Sequence, residues 1–107
     1  MYKARQQIKK IVKEYKDVLA GLGITIERVI LYGSFAKGNS RIDSDIDLVV
    51  ISKDFQNMNI RERLEILGIA AVRIMKPVEA RGYTPQEIKK SLPASFLESV
   101  LENGLKI

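Results

Sequence analysis

The chemistry of this chain is concentrated between residues 31 and 51. Asp45 and Asp47 stand at the head of the apolar run Leu48-Val49-Val50-Ile51. Side chains alternate along a strand, so both carboxylates project from one face while Ile46 projects from the other. Like charges that close repel, and the pair therefore calls for a cation between them. Oxygen ligands at this spacing suit Mg²⁺, a hard ion usually held by one or two carboxylates plus phosphate oxygens. Upstream, Val29-Ile30-Leu31-Tyr32 delivers Gly33, where the missing Cβ lets the backbone turn sharply and approach a ligand closely. Ser34 is placed to cap a short helical turn through Phe35-Ala36-Lys37, aiming N–H groups and a hydroxyl at an anion. Phosphate beside paired carboxylates means metal-assisted phosphoryl chemistry.

Three further charges flank this constellation. Lys37 and Arg41 bracket the loop Gly38-Asn39-Ser40, and each is either a triphosphate ligand or a solvated loop charge. Asp43 shares the alternation of Asp45 and Asp47 but precedes the apolar run, so it reads as a turn or helix-dipole residue rather than a third ligand.

The remaining elements must position these groups. Over residues 3 to 20, Ile8, Ile11, Val12, Tyr15, Val18, Leu19 and Leu22 recur at helical spacing with lysines opposite, and Gly21 and Gly23 are the terminators. Ile24 to Tyr32 is rich in β-branched residues, as an interior strand should be. After Ile51, Ser52 to Asn59 has turn composition, and Ile60, Leu64, Leu67, Ala71 and Ile74 form a helical stripe. Asn59 and Glu62 make a capping box, with Pro77 ending the helix. Residues 77 to 83 alternate as a third strand, Val78 and Ala80 on one face, Glu79 and Arg81 on the other. Thr84-Pro85-Gln86-Glu87 is a second capping box with proline at the first helical position, starting a helix through Ile88 and Leu92. A last helix after Pro93 carries Phe96, Leu97, Val100 and Leu101 in a stripe that reads as core rather than interface, and Gly104 closes it. The pattern predicts an α/β (α+β) fold: a small mixed sheet with helices packed on one face and the acids on the other.

Composition narrows the mechanism. The 107 residues hold no cysteine and no histidine, which removes thiolate nucleophiles, imidazole bases, disulfides and the usual structural zinc sites. Catalysis must rest on carboxylates, hydroxyls, cations and bound metal. The length suits a single domain over 1–107. No apolar run approaches the length of a membrane span and no signal-peptide core is present, so a cytoplasmic location is expected. The net charge is +5, but Lys3, Arg5, Lys9, Lys10, Lys13 and Lys16 face only Glu14 at the start, and the rest of the chain balances. One basic helix without a recognition motif argues against nucleic acid as a partner. Its lysine face is either a solvated surface or a dock for an acidic partner.

Gly33-Ser34, ten residues, then Asp45-x-Asp47 and Leu48-Val49-Val50 resembles the signature of the nucleotidyltransferase superfamily of the DNA polymerase β type, in particular its minimal nucleotidyltransferase (MntA-like) branch. The resemblance implies transfer of AMP from ATP to a hydroxyl, with pyrophosphate released. Asp45 and Asp47 would hold two Mg²⁺ ions, and Gly33 and Ser34 would grip the β- and γ-phosphates. The family carries a third acid, usually Asp, on the strand after the helix. Glu79 is the only carboxylate in that strand here and would serve as metal ligand or proton acceptor; the alternative is an ion pair with Arg81 or another nearby cation. Proteins of this kind are antitoxins that silence a HEPN-domain ribonuclease by adding AMP to a tyrosine, which makes a HEPN toxin the expected partner. Two other readings remain open. The chain is alternatively a catalytically weak or inactive nucleotide-binding module that neutralises its partner by contact, or a nucleic-acid nucleotidyltransferase, for which it lacks a primer-holding domain.

Overall fold

A computed structural model describes residues 5–33, 45–90 and 95–107. Helix α1 (Arg5–Gly21) leads into strand β1 (Arg28–Tyr32), and strand β2 (Ile46–Ile51) follows. A 3-10 helix over Lys53–Asn57 turns the chain into helix α2 (Ile60–Ile74). Strand β3 (Val78–Tyr83), the short helix α3 (Pro85–Lys89), helix α4 (Phe96–Asn103) and a two-residue strand β4 (Leu105–Lys106) complete it. The sheet order is β3-β2-β1-β4. β1 runs antiparallel to β2 and to β4, while β2 and β3 are parallel across the α2 crossover, so the sheet is mixed as expected.

Strand alternation sorts the sheet into two faces. Val29, Leu31, Ile46, Leu48 and Val50 are buried on one, against Ile8, Ile11, Val12, Tyr15 and Leu19 of α1 and Leu67, Ala70 and Ala71 of α2. The Tyr15 hydroxyl reaches across this layer and donates to the Leu67 carbonyl at 2.7 Å, which satisfies a polar group that burial would otherwise penalise. The opposite face carries the acids at one end, yet it is not free of helix. Leu97 and Val100 of α4 cover Ile30, Val49 and Ile51 there. Helices on one face alone therefore describes α1 and α2; α4 shares the face of the acids.

Both capping boxes form: Asn59 and Glu62 exchange bonds at 2.8 and 2.9 Å, and Thr84 and Glu87 at 3.1 and 2.7 Å. The expected apolar stripe of α2 needs correction. Ile60 and Leu64 are 74% and 51% exposed, and the buried face centres on Arg63, Leu67, Ala70 and Ala71. The helix also stops at Met75 in the left-handed conformation, two residues before Pro77.

Arg63 can sit inside because every nitrogen of its guanidinium has an acceptor. It donates to the carbonyls of Phe55 (2.8 Å), Met58 (3.0 Å) and Gly82 (3.3 Å) and to Glu87 Oε1 at 2.7 Å, and its charge lies 5.8 Å from the Phe55 ring centre. The 3-10 helix, α2, β3 and α3 are thereby pinned to one side chain. Gly82 is required beside it, because a Cβ there would press to 2.8 Å from the Phe55 ring.

Candidate active site

Pairing register builds the site. Tyr32 is opposite Asp47 across β1 and β2, and Asp47 is opposite Glu79 across β2 and β3. The three form one row across the sheet, with side chains on the same face. Neighbouring strands lie about 4.8 Å apart, so the Asp47 and Glu79 carboxylates share a small volume. Asp45, exposed at the mouth just before β2, adds its charge to the same volume. One row inward stand Ile30, Val49 and Arg81.

Gly33 leaves β1 at a φ of 77°, a region where side chains other than glycine are strained. A Cβ added there would overlap the Asp47 carboxylate oxygen. The turn and the acid therefore lie against each other. Ser34, Lys37, Arg41 and the weighed Asp43 lie outside the described residues.

The electrostatics fit a cation. Burial, and then the charges of Glu79 and Asp45, push the Asp47 carboxyl above its ordinary 3.8, with Arg81 opposing. Burial and then Asp47 likewise push the Tyr32 phenol upward, again against Arg81. Among the described residues no group of three or more acids could hold a metal ion by itself. A cation placed there would have to draw further ligands from water or phosphate oxygens, as Mg²⁺ usually does. Asp45, Asp47 and Glu79 are the residues that could hold it.

The row opens into a cleft of about 640 Å³, lined among others by Tyr32, Asp47, Glu79, Arg81, Tyr83 and Phe96 and by Ile60 and Leu64 of α2. That volume lies within the usual range for small-molecule sites. Phe96 was expected in the core, but it is 43% exposed and stands against Tyr32, edge to face at 5.4 Å and 82°, with the Arg81 guanidinium 4.6 Å from its ring centre. Glu79 and Arg81 do not form the alternative ion pair: among the described residues the pairs are Arg61–Glu65 and Arg63–Glu87. Sequence reasoning treated Tyr32, Arg81 and Phe96 as scaffold; the alternation of Arg81 with Glu79 was the available signal for Arg81. No helix among the described residues is long and apolar enough to cross a membrane.

Comparison with known proteins agrees with this geometry. The family model "Polymerase beta, Nucleotidyltransferase" matches residues 6–104. A protein of Methanocaldococcus jannaschii carried under the name "Putative protein adenylyltransferase MJ0141" is 30% identical over 102 residues, covering 94% of this chain and 99% of the relative. Two solved structures share the fold. The crystal structure of "a putative nucleotidyltransferase from Sulfolobus solfataricus" has a TM-score of 0.53 at 23% identity, covering 84% of each chain. A "toxin-antitoxin with AMP-PNP" has a TM-score of 0.51 at 20% identity, covering 76% of this chain and 59% of the other. The mixed sheet and its helices are thus a shared fold, and the chain belongs to the polymerase β-type nucleotidyltransferase family.

Proposed function

We propose that the chain is a Mg²⁺-dependent protein adenylyltransferase that moves AMP from ATP onto a tyrosine hydroxyl of a HEPN-domain toxin, acting as that toxin's antitoxin. The observation that carries the reading is the Asp47–Glu79 pair in register across β2 and β3, with Gly33 lying against Asp47. The reading is supported by the name of the relative that spans nearly all of both chains, and by the fold shared with a toxin-antitoxin described with AMP-PNP.

The chain's own residues divide the work. Gly33 and Ser34 would grip the β- and γ-phosphates, and Lys37 and Arg41 are assigned as triphosphate ligands from their place in the sequence. Asp45 and Asp47 would hold the two metal ions, and Glu79 would hold the acceptor-side ion or take the hydroxyl proton, a role left to a carboxylate in a chain without histidine. Two bound Mg²⁺ ions would supply charge neutralisation at the triphosphate and a lower pKa for the attacking hydroxyl. In the transfer the acceptor oxygen bonds to the α-phosphorus, the bond to the bridging oxygen breaks, and pyrophosphate leaves. Because the cleft is open, a protein acceptor brings its own binding surface. Exposed Lys9, Lys10 and Lys13 lie on α1, which covers the sheet face opposite the acids, and are one candidate for a cationic dock that would hold an acidic partner away from the cleft itself.

Intact-mass spectrometry of the chain co-expressed with a HEPN-domain protein tests this. The partner is expected to gain one or a few AMP units only with ATP, Mg²⁺ and intact acids, and to gain none with Asp45→Asn or Asp47→Asn. A partner that is fully inhibited yet unmodified would transfer the case to neutralisation by contact, and the lack of any stable partner would remove the antitoxin role.

A further inference from the structure

Arg81 follows Glu79 by two residues on β3 and shares its face of the sheet. It is exposed and lines the cleft with Asp47 and Glu79, yet it belongs to neither ion pair among the described residues. A guanidinium meeting a carboxylate as a two-pronged fork gains more than one lying on an exposed ring. If Arg81 served only to offset the acids, it would be expected to lie on them. It lies instead over Phe96, at 4.6 Å from the ring centre, and Phe96 is itself held edge-on by Tyr32. The stack keeps a planar fork of donors unspent within a cleft that already holds three negative charges. Arginine rather than lysine suits this task, since its fork matches phosphate geometry and its flat face suits the ring.

Position decides which phosphate it meets. Gly33 lies on the β1 side of Asp47, whereas Glu79 and Arg81 lie on the β3 side. A triphosphate gripped at Gly33 by its outer phosphates must lie across Asp47 to bring its α-phosphorus toward a hydroxyl at Glu79. The group arriving on the side of Arg81 is then the α-phosphate, whose non-bridging oxygens carry negative charge through the transfer. We propose that Arg81 is the ligand of the nucleotide's α-phosphate, and that the Tyr32–Phe96 stack holds it clear of the acids until the nucleotide binds. This rests on the nucleotidyl-transfer reading and assigns that reaction a residue outside the Gly-Ser and Asp-x-Asp motifs.

The test is calorimetric binding, in Mg²⁺, of the non-reacting analogue α,β-methylene-ATP and of inorganic pyrophosphate. Arg81→Gln is expected to weaken the analogue about tenfold or more, the loss of a charge-assisted hydrogen bond, and to leave pyrophosphate affinity unchanged. Arg81→Lys should keep part of the affinity. Phe96→Leu, which leaves the charge but removes its platform, should give a smaller loss of the same pattern. Arg81→Gln within twofold of wild type for the analogue overturns the proposal alone, as does an equal loss for pyrophosphate, which would assign Arg81 to the leaving phosphates. A wild-type chain that binds no analogue in Mg²⁺ overturns the nucleotidyl-transfer reading and this proposal with it.

Discussion

Two groups of charged residues sit within a few residues of each other on and beside β3, and they are built on opposite rules. At the Arg63 corner each charge is answered: the guanidinium has three carbonyls and a carboxylate. Burial pushes the Glu87 carboxyl upward, but its bonds to Arg63 and Thr84 outweigh that and hold it below its ordinary 4.5. In the cleft, Asp47 meets Glu79 and Asp45 with burial against it, and among the described residues the cation that opposes them, Arg81, is parked on a ring. A closed network fixes elements in place. An open one stores an unsatisfied demand that a metal ion and a nucleotide can meet. The difference separates scaffold charge from site charge more sharply than burial does, since the buried arginine here is the structural one.

The largest effect is expected from breaking the closed network. Arg63→Met leaves the carbonyls of Phe55, Met58 and Gly82 without their donor, and urea unfolding should show a loss of about 2–4 kcal/mol. At temperatures where the variant remains folded, metal-dependent nucleotide binding should persist. A loss below roughly 0.5 kcal/mol would mean the corner is no staple.

Relieving the open network should do the reverse, with a smaller amplitude. Asp47→Asn is expected to abolish transfer while raising metal-free stability by on the order of 0.5 kcal/mol, a value reduced by solvent screening. The sign follows from linkage. The folded Asp47 carboxyl binds its proton more tightly than the unfolded one at 3.8, so its penalty is absent below 3.8 and sets in as pH rises through the folded value. Glu87 behaves oppositely: its contribution is present above 4.5 and is lost as pH falls through its lowered folded value. Asp47→Asn should therefore converge on wild type in acid from above, while the Arg63→Met deficit should narrow there only by the part that Glu87 contributes and keep the part due to the three carbonyls. Unfolding curves at pH 4 and pH 7 measure this, and a gap for Asp47→Asn that widens in acid would refute the crowding of the three acids.

Local signals were legible in the sequence because their partners lie a few residues away. The capping boxes at Asn59 and Thr84 and the alternation of β3 needed no knowledge of the fold. The row of Tyr32, Asp47 and Glu79 was half legible: alternation put Asp47 and Glu79 on faces of their own strands, but only pairing register brings those faces together. The phase of α2 was hidden because its buried face is centred on an arginine, which any apolar count assigns to solvent. Strand β4 is two residues long and pairs with Ile30 and Leu31, far too short for a period to appear. Phe96 counted as core by spacing, since its neighbours Leu97 and Val100 are core, and only the tertiary position of Tyr32 and Arg81 gives it another task.

The Arg63 corner also bears on the order in which the chain assembles. Its four contacts join residues 5, 8, 19 and 24 apart, whereas the acid row must bring Tyr32 to Glu79, and β4 returns from Lys106 to Ile30. Loop closure costs more entropy the longer the loop, and contacts close in sequence tend to form early. The segment from the 3-10 helix to α3 is thus expected to condense first around Arg63, with the cleft completed when β1 docks on β2. Stopped-flow kinetics would register this as slower refolding for Phe55→Leu and mainly faster unfolding for Leu105→Ala; the opposite assignment would place the nucleus at β1 instead. On this order the scaffold half of β3 is in place before the acids are forced together, and their repulsion is met late, by elements already folded.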